Sequence, residues 1–179
     1  NITVSAIQTS AKAAILINAD TGEVIYENNA DQKLPMASTT KIMTAVLLLE
    51  NADLSTEITV TDQMLKVEGS SMGLLAGDRV TYNDLLYGLL LASGNDAANV
   101  IAITLGKTVN GFANMMNNKA KQLGLKNTNF VTPSGLDADG HYTTARDLAE
   151  LTRYALKNDE FLKAVSSESK VLNFGNPPY

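Results

Sequence analysis

Ser38 and Lys41 stand three residues apart in the stretch Pro35-Met36-Ala37-Ser38-Thr39-Thr40-Lys41-Ile42-Met43. On a helix, that spacing sets a hydroxyl and an amine on one face, about 5–6 Å apart at their Cβ atoms. Ser38 would occupy the first turn, where free backbone N–H groups and the positive end of the helix dipole gather. Such a place suits both a nucleophile and an oxyanion. A serine hydroxyl is weak by itself and needs a base within hydrogen-bond reach. Lys41 can be that base only when neutral. Lowering its pKa by about three units from roughly 10.4 costs on the order of 4 kcal/mol, within what burial and a neighbouring cation impose. An isolated S-x-x-K is short and common, however, and by itself reads more readily as an N-cap at Ser38 or Thr39 followed by a solvated lysine.

A second signal is Ser93-Gly94-Asn95, polar equipment set between two apolar helical stretches. Buried polar groups need partners, so this tripeptide lines a cleft or caps both helices. The Ser93 hydroxyl could relay a proton between Lys41 and a leaving group. The Asn95 amide could hold Lys41 neutral and hydrogen-bond a substrate carbonyl. Taken alone, a simple helix–helix turn explains the tripeptide as well.

The elements that must position these groups follow from periodicity and punctuation. Residues 12–18 read as a strand, Asp20-Thr21-Gly22-Glu23 as a turn, and 24–27 as the returning strand. Pro35 ends an extended approach, and Met43, Val46, Leu47 and Leu49 carry a helix over about 38–50. A short β segment at 57–60 precedes the Gly/Ser-rich stretch 69–73 and a turn at 76–79. Thr81 with Asp84 three residues on forms a capping box, and the helix it opens to about Ala92 is apolar on nearly all sides. Helical patterns cover 96–105, closed by Gly106, and 109–123, stopped by Gly124. Turn formers fill 124–142; Thr144 with Asp147 opens a helix to about 157, and 161–165 adds a short one. Residues 171–174 read as the start of a strand.

The result is an α+β chain with a helical region against an antiparallel sheet. A hairpin plus a strand barely begun makes a poor sheet with an open edge, suited to self-association. Residues 1–179 therefore read as one domain that lacks its C-terminal strands.

Composition bounds the function. The 179 residues are 45% hydrophobic with a net charge of −5, enough for one domain with a real core. The acidic balance argues against nucleic acid or an anionic membrane as the main partner. There is no cysteine, and His141 is the only histidine, so disulfides, thiolate sites and multi-histidine metal centres are excluded. Asp137, Asp139 and Asp147 do not have the spacing of an EF-hand loop, so no metal or cofactor is expected. Met64, Met72, Met115 and Met116 read as core filler. No apolar run reaches the roughly 18 residues of a membrane span. The chain opens at Asn1 without a Met or a charged leader and reads as a processed or trimmed product.

Together the two motifs, in this order, resemble the penicillin-binding, active-site serine superfamily. Longer runs are similar to the low-molecular-mass D-alanyl-D-alanine carboxypeptidases. These are Lys33 to Thr44, Gly69-Ser70-Ser71-Met72, Gly77-Asp78, Ser93 to Ala98, Ser134-Gly135-Leu136-Asp137, and Gly140 through Asp147. The resemblance spans about 11–179 and implies a penicillin-binding protein/β-lactamase-like fold. It implies a serine enzyme that removes the terminal D-alanine of peptidoglycan stem peptides through an acyl-enzyme, outside the cytoplasm, and that β-lactams acylate. By this resemblance Ser38 is the nucleophile, Lys41 its base, Ser93 the proton relay and Asn95 the substrate clamp. Any peripheral membrane attachment would reside in a segment beyond these residues.

One departure matters. The family's third motif, Lys-Thr-Gly on a strand edging the cleft, is absent. Lys107-Thr108-Val109 lacks the glycine and lies between helices. That strand would supply a cation for the substrate carboxylate and one oxyanion donor, the other being the Ser38 N–H; losing one donor costs about 2.7–4 kcal/mol. An impaired catalyst is therefore expected. Two rivals stand beside the peptidase. A class A β-lactamase needs a glutamate-activated water, but no E-x-x-L-N stretch occurs, and Glu150 and Glu160 lie in the wrong context. A non-catalytic penicillin- or peptidoglycan-binding module would also lack the third motif. His141 as base of a serine triad has no G-x-S-x-G elbow to support it and reads as a structural loop residue.

Overall fold

Residues 9–174 are described by the structure, a computed structural model. Strand β1 (Ala14–Ile17) pairs antiparallel with β2 (Val24–Asn28) across the expected turn, with Leu16 opposite Tyr26 and an irregularity after Leu16. The Asn18 side chain accepts from the Asp20 and Thr21 N–H groups and fixes that turn. A 3-10 turn at Ala37–Thr40 leads directly into α1 (Lys41–Asn51). The expected helix from residue 38 thus starts as a tighter coil, and only Lys41 onward is α-helical.

Strand β3 (Glu57–Thr59) pairs with β4 (Arg79–Thr81) in a separate two-stranded ribbon. Arg79 belongs to this strand rather than to the turn expected at 76–79, because its pairing partner lies too far back in the chain for local pattern to reveal. The capping box opens α2 (Tyr82–Leu91) as expected, with Thr81 Oγ1 accepting from the Asp84 N–H and the Asp84 carboxylate accepting from the Thr81 N–H. Helix α3 (Asn95–Gly106) runs through Gly106 rather than stopping before it, and Lys107 takes the left-handed position at φ +64°. Gly106 is needed for packing: a Cβ there would lie 2.4 Å from the Phe112 nitrogen at the start of α4 (Val109–Gln122). Thr144 caps α5 (Ala145–Ala155), and Asn158 caps α6 (Asp159–Val165).

Helix α1 runs through the middle of the helical layer, touching α2, α3, α4, α5 and α6. Met43, Ala45 and Leu48 on α1 share one buried core with Leu85 and Leu86 of α2, Ile101 of α3, and Phe112 and Met116 of α4. Met116 is core, and Met64, Met72 and Met115 pack against it. The hairpin lies over α5 through β1.

Residues 171–174 form no strand. Phe174 is instead buried in the hydrophobic core. Among the described residues no helix is long and apolar enough to cross a membrane, and no group of acidic or histidine side chains could hold a metal ion.

Candidate active site

Ser38 sits in the 3-10 turn with its side chain exposed, while Lys41 is the first residue of α1 and only 3% exposed. The tighter coil preserves the one-face relation that the three-residue spacing predicts. Lys41 Nζ donates to Ser38 Oγ at 3.1 Å and to the Ser134 carbonyl at 2.8 Å. Burial pushes the Lys41 pKa down to about 8, against the opposing pull of the Asp96 carboxylate. The neighbouring cation envisaged from sequence is not among the causes. Desolvation alone lowers it.

The turn carrying Ser38 is shaped by close contacts. Ala37 adopts a left-handed backbone at φ +45°, a conformation costing a non-glycine residue roughly 1–2 kcal/mol. Gly135, at φ +91°, abuts it so closely that a Cβ would fall 1.8 Å from the Ala37 carbonyl oxygen. The Ser38 N–H makes no backbone hydrogen bond among the described residues. It is thus available to an oxyanion.

Ser93 and Asn95 occupy the junction of α2 and α3. Ser93 holds φ +52°, is half-buried, and its hydroxyl has no hydrogen-bond partner among the described residues. Asn95 opens α3 and is buried; its Nδ2 donates to the Glu68 carbonyl at 2.6 Å. The structure therefore brings Ser38 and Lys41 into direct contact, and pairs the Asn95 amide with Glu68 rather than with Lys41. One amide proton and the carbonyl of Asn95 remain uncommitted.

Several residues around this centre escape a reading of the sequence alone. Ser134 stands out there only as part of a longer run. Asp96, 5% exposed, holds the 71–74 segment against α3: its carboxylate accepts from Ser71 Oγ at 2.5 Å and from the N–H groups of Met72, Gly73 and Leu74 at 3.0–3.1 Å. Burial pushes the Asp96 pKa up, but the Ser71 hydroxyl and the backbone N–H groups outweigh it and hold the carboxyl below its ordinary value. An acid in the first turn of a largely apolar helix was the available signal, but its partners lie 22–25 residues back, beyond what local pattern reveals. Asp147 does the same for the facing loop, accepting from the Asn127 N–H and Thr128 Oγ1 at 2.7 Å, while its own N–H completes the Thr144 cap.

An exposed hydroxyl beside a buried, partly neutral amine is the equipment of acyl transfer through a serine ester. The chain matches the family model described as D-alanyl-D-alanine carboxypeptidase over residues 1–176. It is 38% identical over 164 residues to the D-alanyl-D-alanine carboxypeptidase DacF of Bacillus subtilis, covering 89% of this chain and 42% of that one. A solved D-alanyl-D-alanine carboxypeptidase from Mycobacterium tuberculosis superposes with a TM-score of 0.90 at 34% identity, over 94% of this chain and 64% of that one. Penicillin binding protein 5 from Haemophilus influenzae gives a TM-score of 0.88 at 31% identity, over 95% and 52% of the two chains. The fold is thus the α+β, penicillin-binding type expected from the motifs. The chain spans about two fifths of the length of the Bacillus relative. Because the family model matches almost end to end, this chain belongs to the D-alanyl-D-alanine carboxypeptidase family.

Proposed function

We propose that this chain carries the nucleophile and base of a serine-type D-Ala-D-Ala carboxypeptidase. Its substrate is a peptidoglycan stem peptide ending in D-Ala-D-Ala, and it works outside the cytoplasm, where that substrate lies. The observation that carries this is the exposed Ser38 hydroxyl held 3.1 Å from a buried amine whose pKa is about 8. Neutral Lys41 takes the Ser38 proton as Oγ bonds the carbonyl carbon of the penultimate D-alanine. The Ser38 N–H faces the resulting oxyanion. The C–N bond then breaks, and the leaving nitrogen receives the proton back from Lys41 through the Ser93 hydroxyl. Water attacks the ester carbonyl and gives a proton to Lys41; the C–O bond to Ser38 then breaks, Lys41 returns that proton to the departing Ser38 Oγ, and the shortened peptide leaves as the acid. The uncommitted polar atoms of Asn95 hydrogen-bond the substrate backbone.

A β-lactam acylates the same oxygen, its ring nitrogen taking the leaving proton. The sequence contains no Lys-Thr-Gly triplet, so the family's second oxyanion donor and its carboxylate-binding cation are not among these 179 residues. Self-association belongs to the same proposal, since β1 and β2 have no further strand beside them among the described residues. A β-lactamase is not favoured. Glu150 lies within α5 beside Arg153, and Glu160 within α6 beside Lys163, and no E-x-x-L-N stretch supplies a deacylating glutamate.

Incubation with a fluorescent penicillin, followed by intact-mass analysis, tests the assignment. A stable adduct on Ser38 that disappears in Ser38→Ala is expected. Rapid turnover would indicate a β-lactamase instead, and absence of any adduct a binding module.

A further inference from the structure

We propose that His141 is a positioning residue for the Ser38–Lys41 pair, clamping the turn that bears Ser38 to the loop whose Ser134 carbonyl holds Lys41. The inference rests on the reading of Lys41 as base.

The imidazole is buried and bonded at both nitrogens. Nδ1 accepts from the Val131 N–H at 3.0 Å, so the ring proton resides on Nε2, which donates to Thr40 Oγ1 at 2.9 Å. Thr40 is fully buried, two residues after Ser38 and immediately before Lys41. Val131 begins the segment that runs through Pro133, Ser134 and Gly135. A parallel tie reinforces the clamp, Thr44 Oγ1 donating to the Pro133 carbonyl at 2.6 Å. The backbone of residue 141 and the ring are both held in place. The His141 N–H donates to the Ala138 carbonyl, Tyr142 bridges to Asn129, and the Phe130 ring packs edge-on against the imidazole at 69° with centroids 6.1 Å apart.

This geometry assigns the imidazole a task that differs from proton transfer to substrate. It sets the distance between two segments about a hundred residues apart, and both of the Lys41 amine's partners ride on those segments. Burial keeps the ring's pKa below its ordinary value, opposed by the charge of Asp137 in the same loop. The imidazole is therefore neutral in the range where Lys41 acts. Removing it strips partners from the Val131 N–H and the Thr40 hydroxyl and loosens the 131–135 segment. Water then reaches Lys41, and the desolvation that lowers its pKa is relieved.

The test is the pH dependence of acylation by a fluorescent penicillin for the parent, His141→Ala, His141→Asn and His141→Gln, with a thermal melt of each. His141→Ala is expected to move the ascending limb upward from about 8, by about one pH unit, and to slow acylation at pH 7.5 about tenfold. His141→Asn sets an amide oxygen near the Nδ1 position, keeps the acceptor for Val131, and should restore most of the limb. A folded His141→Ala protein with the parent's limb and rate overturns the proposal. Should His141→Ala fail to fold, His141→Gln decides in its place: it keeps a donor for Thr40 but no acceptor at Nδ1. An upward shift in that variant supports the clamp, and a limb still at about 8 overturns it. Lys41→Arg separates the two readings. Retained labelling there removes the base assignment itself, whereas lost labelling beside an unaffected His141→Ala removes only the clamp.

Discussion

Lys41 Nζ donates to the carbonyl oxygen of Ser134, 93 residues further along the chain, at 2.8 Å. A carbonyl only accepts, so it holds one N–H of the amine whether Lys41 is charged or neutral. The lone pair of the neutral amine is thereby left for the Ser38 hydroxyl. The same approach of the two segments makes the fit of Gly135 against Ala37 so tight.

Acylation should rise with pH along a limb centred at about 8, because the ammonium form of Lys41 cannot accept the Ser38 proton. Stability should follow the same group. Between about 8 and 10.5 the unfolded chain binds more protons than the folded one, so stability rises with pH there. The contribution is full above 10.5 and lost as pH falls through 8, about 3 kcal/mol in all. Denaturant melts at pH 7.5 and 10 should show this slope in the parent and lose it in Lys41→Met, which also loses the acylation limb.

Asp96→Ala should destabilise the protein by about 3 kcal/mol, since it leaves the Ser71 hydroxyl, the part-buried N–H groups of Met72 and Gly73 and the buried N–H of Leu74 without their acceptor. For a chain of this size that lowers Tm by about 10 °C. The parent should also lose stability as pH falls from the ordinary carboxylate range through the lower folded pKa of Asp96. Calorimetry at pH 3 and pH 6 should find that share of the acid sensitivity missing from the variant.

Gly135→Ala places a Cβ into the Ala37 carbonyl at a backbone angle that L residues avoid. The cost is expected to be about 3 kcal/mol or more, with acylation slowed at least tenfold as the Ser38 turn is pushed aside. Ser134→Ala should be mild by comparison, because Lys41 uses the backbone carbonyl of that residue and not its hydroxyl. Parallel melts and labelling rates would check the contrast; equal damage from the two substitutions would contradict it.

The β1–β2 hairpin exposes Leu16 at 48% and Ile25 at 61%, with no third strand beside it among the described residues. We expect self-association through this sheet, seen as concentration-dependent mass in sedimentation, and its suppression by Ile25→Lys. A longer chain, extended past residue 179 by a Lys-Thr-Gly strand, should acylate about a hundredfold faster, since a second oxyanion donor is typically worth about 2.7–4 kcal/mol. Equal rates would mean that the donor is already supplied within the 179 residues.

The sequence by itself determined whatever depends on near neighbours. The spacing of Ser38 and Lys41, the Thr81–Asp84 capping box, the Thr144–Asp147 helix start and the hairpin turn at Asn18 are each settled within a few residues. Caps, turns and helical faces are short-range, so residue type and interval suffice to read them. Tertiary structure decided the rest. Residue 174 entered the core instead of a strand, β3 found its partner in β4, and Asn95 turned its amide to Glu68. It also decided that Lys41 would be buried against Ser134 and that His141 would reach Thr40, 101 residues away. A lysine's spacing from a serine says where the amine stands, but its pKa is set by how completely distant segments exclude water from it.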